Sequence, residues 1–559
     1  MQRKWIIFVI LAIFTSSLIA ATMASASQVG DKKVISISGQ VLGSNGQKPV
    51  MANVQLADIG ETNISAIQSI PADSKGKFRV EIKAPGLYKL FISAVNHQPV
   101  AIPLNITATD RKIDVTVTLS PYIYRKTIDA VKITGSWNNY DYRKAENMQK
   151  QADGSFSYER EVSDSVIGYQ LIGVVDEQTV NGTMSDYLEY DNNGNYRSVL
   201  KVNPGKITIK FDPAQLTSAN NDNRLPKISF DNKHKVLETV FTISNRFNQQ
   251  YNGYLNALKQ YRNTHQSVKD FMLDSSDLYN SLIDTLKNIQ NEPIVRQFAA
   301  VTLVRMLKMN VKMDKITPAE ILQVVPVDSP LWSVEPYTVV MLGHYMSREQ
   351  ASLLLKEFYE KNPDRRVRAR ALLNMAMAAK DRNDKEKIKS IYDELKNKYG
   401  DIREIQSEMA MFDPNKKIAQ GKPLPEFKVK LIDSETMITN QSMLGKYYLI
   451  DFWATWCGGC KDEMPFLHKA YERFKNDNFE ILSLSVDENP EDVRAFRDKW
   501  PMPWRNAVLD GGMMDQIAQD FDIRRLPAPI LVGPDGIIIT TDNLRGESLE
   551  KTLEMYLKK

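Results

Sequence analysis

The sequence predicts a multidomain fold: two N-terminal β-sandwich modules, an all-α middle region and a C-terminal α/β domain. Three observations predict it. The chain has 559 residues, more than one hydrophobic core holds, so three to five domains are expected. From Val34 to Pro213, short alternating strands are broken by turns about every ten residues. The apolar period then lengthens to a helical one from His234 to Met411, and from Phe427 strands and helices alternate.

The N-terminal end reads as an export signal. Gln2-Arg3-Lys4 precedes an apolar run from Trp5 to Ala21, and Ala24-Ser25-Ala26 offers a small-x-small cleavage pattern. Residues 1–26 are therefore assigned to a Sec-type signal peptide, with a periplasmic or otherwise extracytoplasmic location. If the run stays uncleaved, it is near the lower limit for a membrane anchor. The formal net charge of +4, with 25% charged residues, carries no sign of a nucleic-acid partner. The five histidines are scattered, and no pair stands at metal-ligand spacing, so no metal site is expected.

Residues 27–121 form the first β module. Val34-Ile-Ser-Ile-Ser alternates, Gly43-Ser-Asn-Gly46 is a turn, and Asp73-Ser-Lys-Gly76 turns into the strand beginning Lys77-Phe78. With Gly39-Gln-Val and Pro85-Gly86-Leu-Tyr88, the stretch resembles the carboxypeptidase-regulatory-like modules. Residues 122–213 form the second. Val131-Lys-Ile-Thr-Gly-Ser-Trp137 and Asp153-Gly-Ser-Phe156 resemble the start of the AMPK-type glycogen-binding family. That resemblance implies a glycan on Trp137 and Tyr140, against the plainer reading of a buried structural tryptophan. A glycan or protein partner of these modules is kept as an expectation.

Residues 230–412 read as helical. Val295-Arg-Gln-Phe-Ala and Val367-Arg-Ala-Arg-Ala lie 72 positions apart, and each opens a helix after a proline. The spacing is similar to helical-hairpin repeats of the HEAT or tetratricopeptide sort. Such an array is either a docking platform or a spacer that positions the C-terminal domain. Asp413-Pro-Asn-Lys-Lys and Gly421-Lys-Pro-Leu-Pro425 mark the last linker.

Residues 418–559 carry the chemistry. Tyr447 to Trp453 is an apolar run that reads as a buried strand, and Met464, Leu467, Tyr471 and Phe474 recur at helical spacing beyond it. Between them stand the chain's only two cysteines, Cys457 and Cys460. A loop this short staples almost nothing, because disulfide stabilisation grows with the loop closed. A Cys-x-x-Cys at a strand-to-helix turn also places the first sulfur over the helix N-terminus. There roughly half a positive charge favours the thiolate. The pair reads as a redox dithiol.

The order of elements, the leader Gly421-Lys-Pro-Leu-Pro425-Glu-Phe427, the Phe452-Trp-Ala-Thr-Trp-Cys core, Pro465 and Leu526-Pro527 together resemble the TlpA/ResA-like thiol-disulfide oxidoreductases, which have a thioredoxin fold. The resemblance implies that Cys457 attacks and Cys460 resolves. It places Asp451 at the family's buried acid and Glu463 at a second acid one helical turn after Cys460. It makes Pro527 a cis-proline and puts Trp456, Leu526 and Pro527 on the substrate side. No cofactor is implied beyond the redox-active Cys457–Cys460 disulfide. The partners implied are a disulfide-containing protein substrate and a membrane thiol-disulfide electron donor. The Gly458-Gly459 spacer departs from the family's usual proline-containing pair and is expected to leave the turn flexible. A peroxidase lacks support, because its Pro-x-x-x-Thr/Ser-x-x-Cys loop is missing before Cys457. Other functions left open are a disulfide oxidase or isomerase, or a cell-envelope scaffold with a vestigial redox domain.

Overall fold

The computed structural model describes residues 34–557, apart from 61–65, 176–177, 217–224, 263, 266–267 and 269. The signal peptide assigned to residues 1–26 therefore lies outside the described residues. The chain divides into two compact units, one reaching to Asn245 and including Thr285–Ala299, the other comprising Arg246–Asp284 and Ala300–Lys559.

In the first unit, alternation produces strands with one buried face. Ile35 and Ile37 are buried while Ser36 and Ser38 are partly exposed. Residues 34–118, with Lys227–Phe230, build two four-stranded sheets. One holds Ile35–Leu42 between a parallel partner, Lys112–Thr118, and an antiparallel one, Lys77–Ile82. Its outer edge is Lys227–Phe230, a strand from beyond the second module that pairs with Val115–Thr118. Apolar residues of both sheets share one core, which Leu237 and Phe241 of the long helix Val236–Arg262 join. Gly39 is required by packing, since a Cβ there would stand 2.3 Å from the Val115 carbonyl oxygen.

Residues 132–211 form a six-stranded and a three-stranded sheet over a second core. Trp137 packs onto that core. Its ring stacks on Tyr158 at 5.7 Å, and the Arg160 guanidinium lies 5.2 Å from it. The Tyr140 ring carries Arg197 at 3.8 Å. Both aromatics are thus engaged by the module's own side chains.

The second unit contains successive helices from Thr338–Gly343 to Arg403–Met409 and the C-terminal domain. The helices start where side chains satisfy free N–H groups. Ser347 and Gln350 form a capping box, and Asp364 accepts from Arg366 and Val367. The Val367 segment lies in helix Arg365–Asp381, where Arg370 is buried and paired to Glu408 at 2.8 Å.

The C-terminal domain is a five-stranded sheet in the order Arg505–Val508, Phe479–Ser485, Tyr447–Trp453, Ala528–Val532 and Ile538–Thr540. The first three strands run parallel and the last two are antiparallel additions. Six of the seven residues of Tyr447–Trp453 are buried, as expected for a central strand covered on both faces. The leader docks along the edge strand through Gly421 N–H to the Ile538 carbonyl, 2.8 Å, and Ile538 N–H to Lys422, 2.9 Å. The helical part meets this domain directly, as at Lys380 Nζ to Asp542 Oδ1, 2.5 Å. Among the described residues, no helix is long and apolar enough to cross a membrane.

Candidate active site

The central strand stops at Trp453, and Ala454 to Trp456 make the turn. The turn is anchored by Asp487, only 2% exposed. Its carboxylate accepts from Thr455 N at 2.9 Å, Thr455 Oγ1 at 2.7 Å and Ser485 Oγ at 2.5 Å. Helix Gly458–Phe474 comes next with Cys457 as its N-cap, and Cys460 N–H donates to Cys457 Sγ at 3.1 Å. A sulfur in that position takes up one of the free N–H groups of the first turn. A thiolate there gains from the helix dipole as well.

Cys457 and Cys460 are joined as a disulfide with Cα atoms 5.3 Å apart. Cys457 is 8% exposed and Cys460 1%. The first cysteine is the more accessible, as its place at the helix end dictates, yet it is largely covered instead of openly exposed. The spacer explains the cover. A Cβ on Gly459 would stand 3.6 Å from Pro527 Cδ and 3.9 Å from Arg545 Nη2. One on Gly458 would stand 2.5 Å from Nη1 of Arg262, the last residue of the long helix. Gly458 therefore serves the close approach of the Arg262 guanidinium, whereas a Cβ at 459 would make only ordinary contacts.

Asp451 lies on the central strand, 4% exposed. Burial in an apolar layer pushes its carboxyl up to about 7, the Glu463 charge adds to the rise, and Arg545 opposes it. Glu463 is held by two bonds, from Arg545 Nε to Oε1 at 3.0 Å and from Gly546 N–H to Oε2 at 2.6 Å. Arg545 thus holds the second acid of the dithiol helix.

The Leu526–Pro527 peptide is cis. Leu526 and Pro527 line a groove of ≈ 590 Å³ together with Ser407, Ala410 and Met411 from the helical part. Trp456 stands before the first cysteine, 63% exposed. The structure therefore places Pro527 beside the spacer, and Asp451 within electrostatic reach of Glu463 on the dithiol helix. Asp487, Arg545 and Arg262 complete the surroundings and were not singled out from sequence as site residues. Nothing local to Asp487 in the sequence signals that its carboxylate turns toward Thr455. Among the described residues, no group of three or more His, Cys, Asp or Glu side chains is arranged to hold a metal ion.

Residues 420–541 match the AhpC/TSA family. The thiol-disulfide oxidoreductase ResA of Bacillus cereus (strain ATCC 10987 / NRS 248) is 31% identical over 148 residues, covering 26% of this chain and 82% of the relative. ResA of Bacillus subtilis (strain 168) is 27% identical over 148 residues, covering 26% of this chain and 79% of the relative. Among solved structures, the thioredoxin domain of a thiol-disulfide oxidoreductase from Bacteroides vulgatus is 29% identical with a TM-score of 0.24, covering 25% of this chain and 99% of that chain.

Proposed function

The chain belongs, through its C-terminal domain, to the ResA thiol-disulfide oxidoreductase family, and from that premise we propose that it is an extracytoplasmic reductase of protein disulfides. The observation that carries the proposal is the position of Cys457 Sγ as N-cap, with the Cys460 amide on it and the buried Asp451 carboxyl in the strand leading to it.

In the working direction the dithiol starts reduced. The Cys457 thiolate attacks one sulfur of a substrate disulfide, that S–S bond breaks, and a mixed disulfide forms as one substrate thiolate leaves. Asp451, with its carboxyl pushed up to about 7, is partly ionised near neutral pH. It takes the proton of the Cys460 thiol. The Cys460 thiolate then attacks Cys457 Sγ, forming the Cys457–Cys460 disulfide and releasing the second substrate thiol. Two electrons pass to the substrate. A membrane dithiol donor restores them, since the chain holds no third cysteine to relay electrons. Acids near the sulfurs work against the thiolate, which makes the disulfide a weaker oxidant and favours the reducing direction. The Leu526–Pro527 edge and Trp456 are assigned to the substrate backbone and side chains. The apolar run at residues 5–21 supports a site outside the cytoplasm.

Trapping tests the proposal. Cys460→Ser is expected to accumulate a mixed disulfide on Cys457 with oxidised protein substrates, and mass spectrometry would identify them. If instead the wild-type chain, carrying its Cys457–Cys460 disulfide, oxidises reduced protein thiols while the Cys460→Ser thiol leaves substrate disulfides unattacked, the direction is that of an oxidase.

A further inference from the structure

The redox domain is not the sole source of charge at its own dithiol. The long helix Val236–Arg262 ends 195 positions before Cys457 in the sequence, yet its last side chain lies on the Cys-Gly-Gly-Cys turn. A Cβ on Gly458 would stand 2.5 Å from Arg262 Nη1 and 2.8 Å from its Cζ, so the guanidinium rests on the bare Cα of Gly458. The other terminal nitrogen, Nη2, donates to Asp462 Oδ2 at 2.9 Å. Arg262 and Asp462 are both largely covered, with side chains 28% and 27% exposed. Arg262 Nε is buried and, among the described residues, has no hydrogen-bond partner.

The ion pair is directional. Its positive end faces the residue after Cys457, and its negative end sits farther along the helix at Asp462. The remaining charges divide around the turn. Lys461 is drawn off over the Phe496 ring at 5.7 Å. Asp487 is engaged by Thr455 and Ser485. On the Gly459 side Arg545 is bound to Glu463, with Asp451 buried beyond. Among the described residues, Arg262 is thus the cation that lies against Gly458, and it comes from outside the part of the chain that matches the family.

We propose that Arg262 is a positioning residue of the redox site, whose guanidinium holds the turn from above Gly458 and favours the Cys457 thiolate. The inference rests on Cys457 being the attacking thiol. It adds that the helical part sets the acidity and potential of the dithiol, offsetting the two acids beneath it. The same contact explains the spacer's first glycine, because a larger residue at 458 would push the guanidinium off.

The test uses the full chain, reduced, and reads the thiolate of Cys457 from the pH dependence of alkylation. The disulfide potential is read against glutathione. Arg262→Met is expected to raise the thiolate pKa by roughly half a unit to one unit, the ordinary effect of losing a nearby partly screened cation. A tenfold loss of thiolate stabilisation corresponds to a potential about 30 mV more negative above that pKa. Arg262→Lys is expected to keep most of the wild-type value, and Gly458→Ala, which displaces the guanidinium without removing it, to shift both readings the same way as Arg262→Met. An unchanged thiolate pKa and potential in a folded Arg262→Met chain overturns the proposal. If that chain fails to fold, the Gly458→Ala reading decides in the same terms. A failed Cys460→Ser trap would bear on the reductase reading alone, because the titration needs no substrate.

Discussion

At position 451 the central strand carries a carboxyl group into a layer of buried Leu, Ile, Phe and Trp. Ionising it there costs free energy, so its proton is held until about pH 7 against 3.8 for the free group. The folded-state value is raised, so the folded chain binds this proton more tightly than the unfolded one. The resulting stabilisation is complete below pH 3.8 and is lost as pH rises through 7, by on the order of 4 kcal/mol. Asp451→Asn is therefore expected to raise the denaturant midpoint clearly at pH 8 and hardly at pH 4. In single-turnover assays at pH 7, decay of the mixed disulfide is expected to slow by roughly a hundredfold, the scale of a lost proton acceptor. The first attack on a small disulfide keeps its rate or gains, since a negative charge near the thiolate is gone. Equal slowing of both steps would remove Asp451 from the proton transfer. Asp451 was legible because an acid inside an apolar strand has no ordinary surface explanation. Arg262 was not, since nothing local to residue 262 refers to a turn near 458.

Among the elements, those with a strong period were the easiest to read. The strand Tyr447–Trp453 has the bounds its apolar run suggests, and the apolar positions Met464, Leu467, Tyr471 and Phe474 fall in the helix Gly458–Phe474. The edge strand Arg505–Val508 was missed, because Pro501 and Pro503 precede it and Arg505-Asn-Ala-Val does not alternate cleanly; it pairs in parallel with Leu482–Ser485. The strand Lys227–Phe230 was also missed, since its partner lies more than a hundred residues earlier. The turn between strand and dithiol helix depends on a neighbour of the same kind. Asp487 lies two residues past the end of strand Phe479–Ser485 and reaches across to Thr455. Asp487→Ala strips one backbone and two hydroxyl donors of their acceptor, at a cost of about 1–3 kcal/mol for each group left unpaired. The expected outcome is a fall in the unfolding midpoint together with faster hydrogen exchange at Thr455 and Cys457. Asp487→Asn, which keeps an acceptor oxygen, should recover much of the loss, and no difference between the two variants would rule out the anchoring role.

For the whole molecule, the polar, proline-rich stretch from Asp413 to Pro425 has the composition of a linker between separate domains. The chain instead folds Ala300–Lys559 into one unit with Arg246–Asp284. The leader pairs with the edge strand, and Lys380 binds Asp542. Composition reports flexibility of a free segment, but not the surface on which it settles. One consequence concerns what the dithiol admits. The groove beside Leu526–Pro527 has a wall of Ser407, Ala410 and Met411, and Met411 Sδ stands 3.9 Å from Arg525 Nη2. A substrate chain laid along that groove would touch Met411 as well as the redox domain, whereas a small disulfide is too short to fill it. Truncating the wall removes binding that is the same in ground and transition states, so it acts on KM. Met411→Ala is expected to raise KM for insulin disulfide reduction by about fivefold, equivalent to about 1 kcal/mol of lost apolar contact, with kcat unchanged. Reduction of a small aromatic disulfide by the same variant should proceed at the wild-type rate. If insulin and the small disulfide respond alike, the helical wall takes no part in holding protein substrates, and selection rests with the redox domain alone.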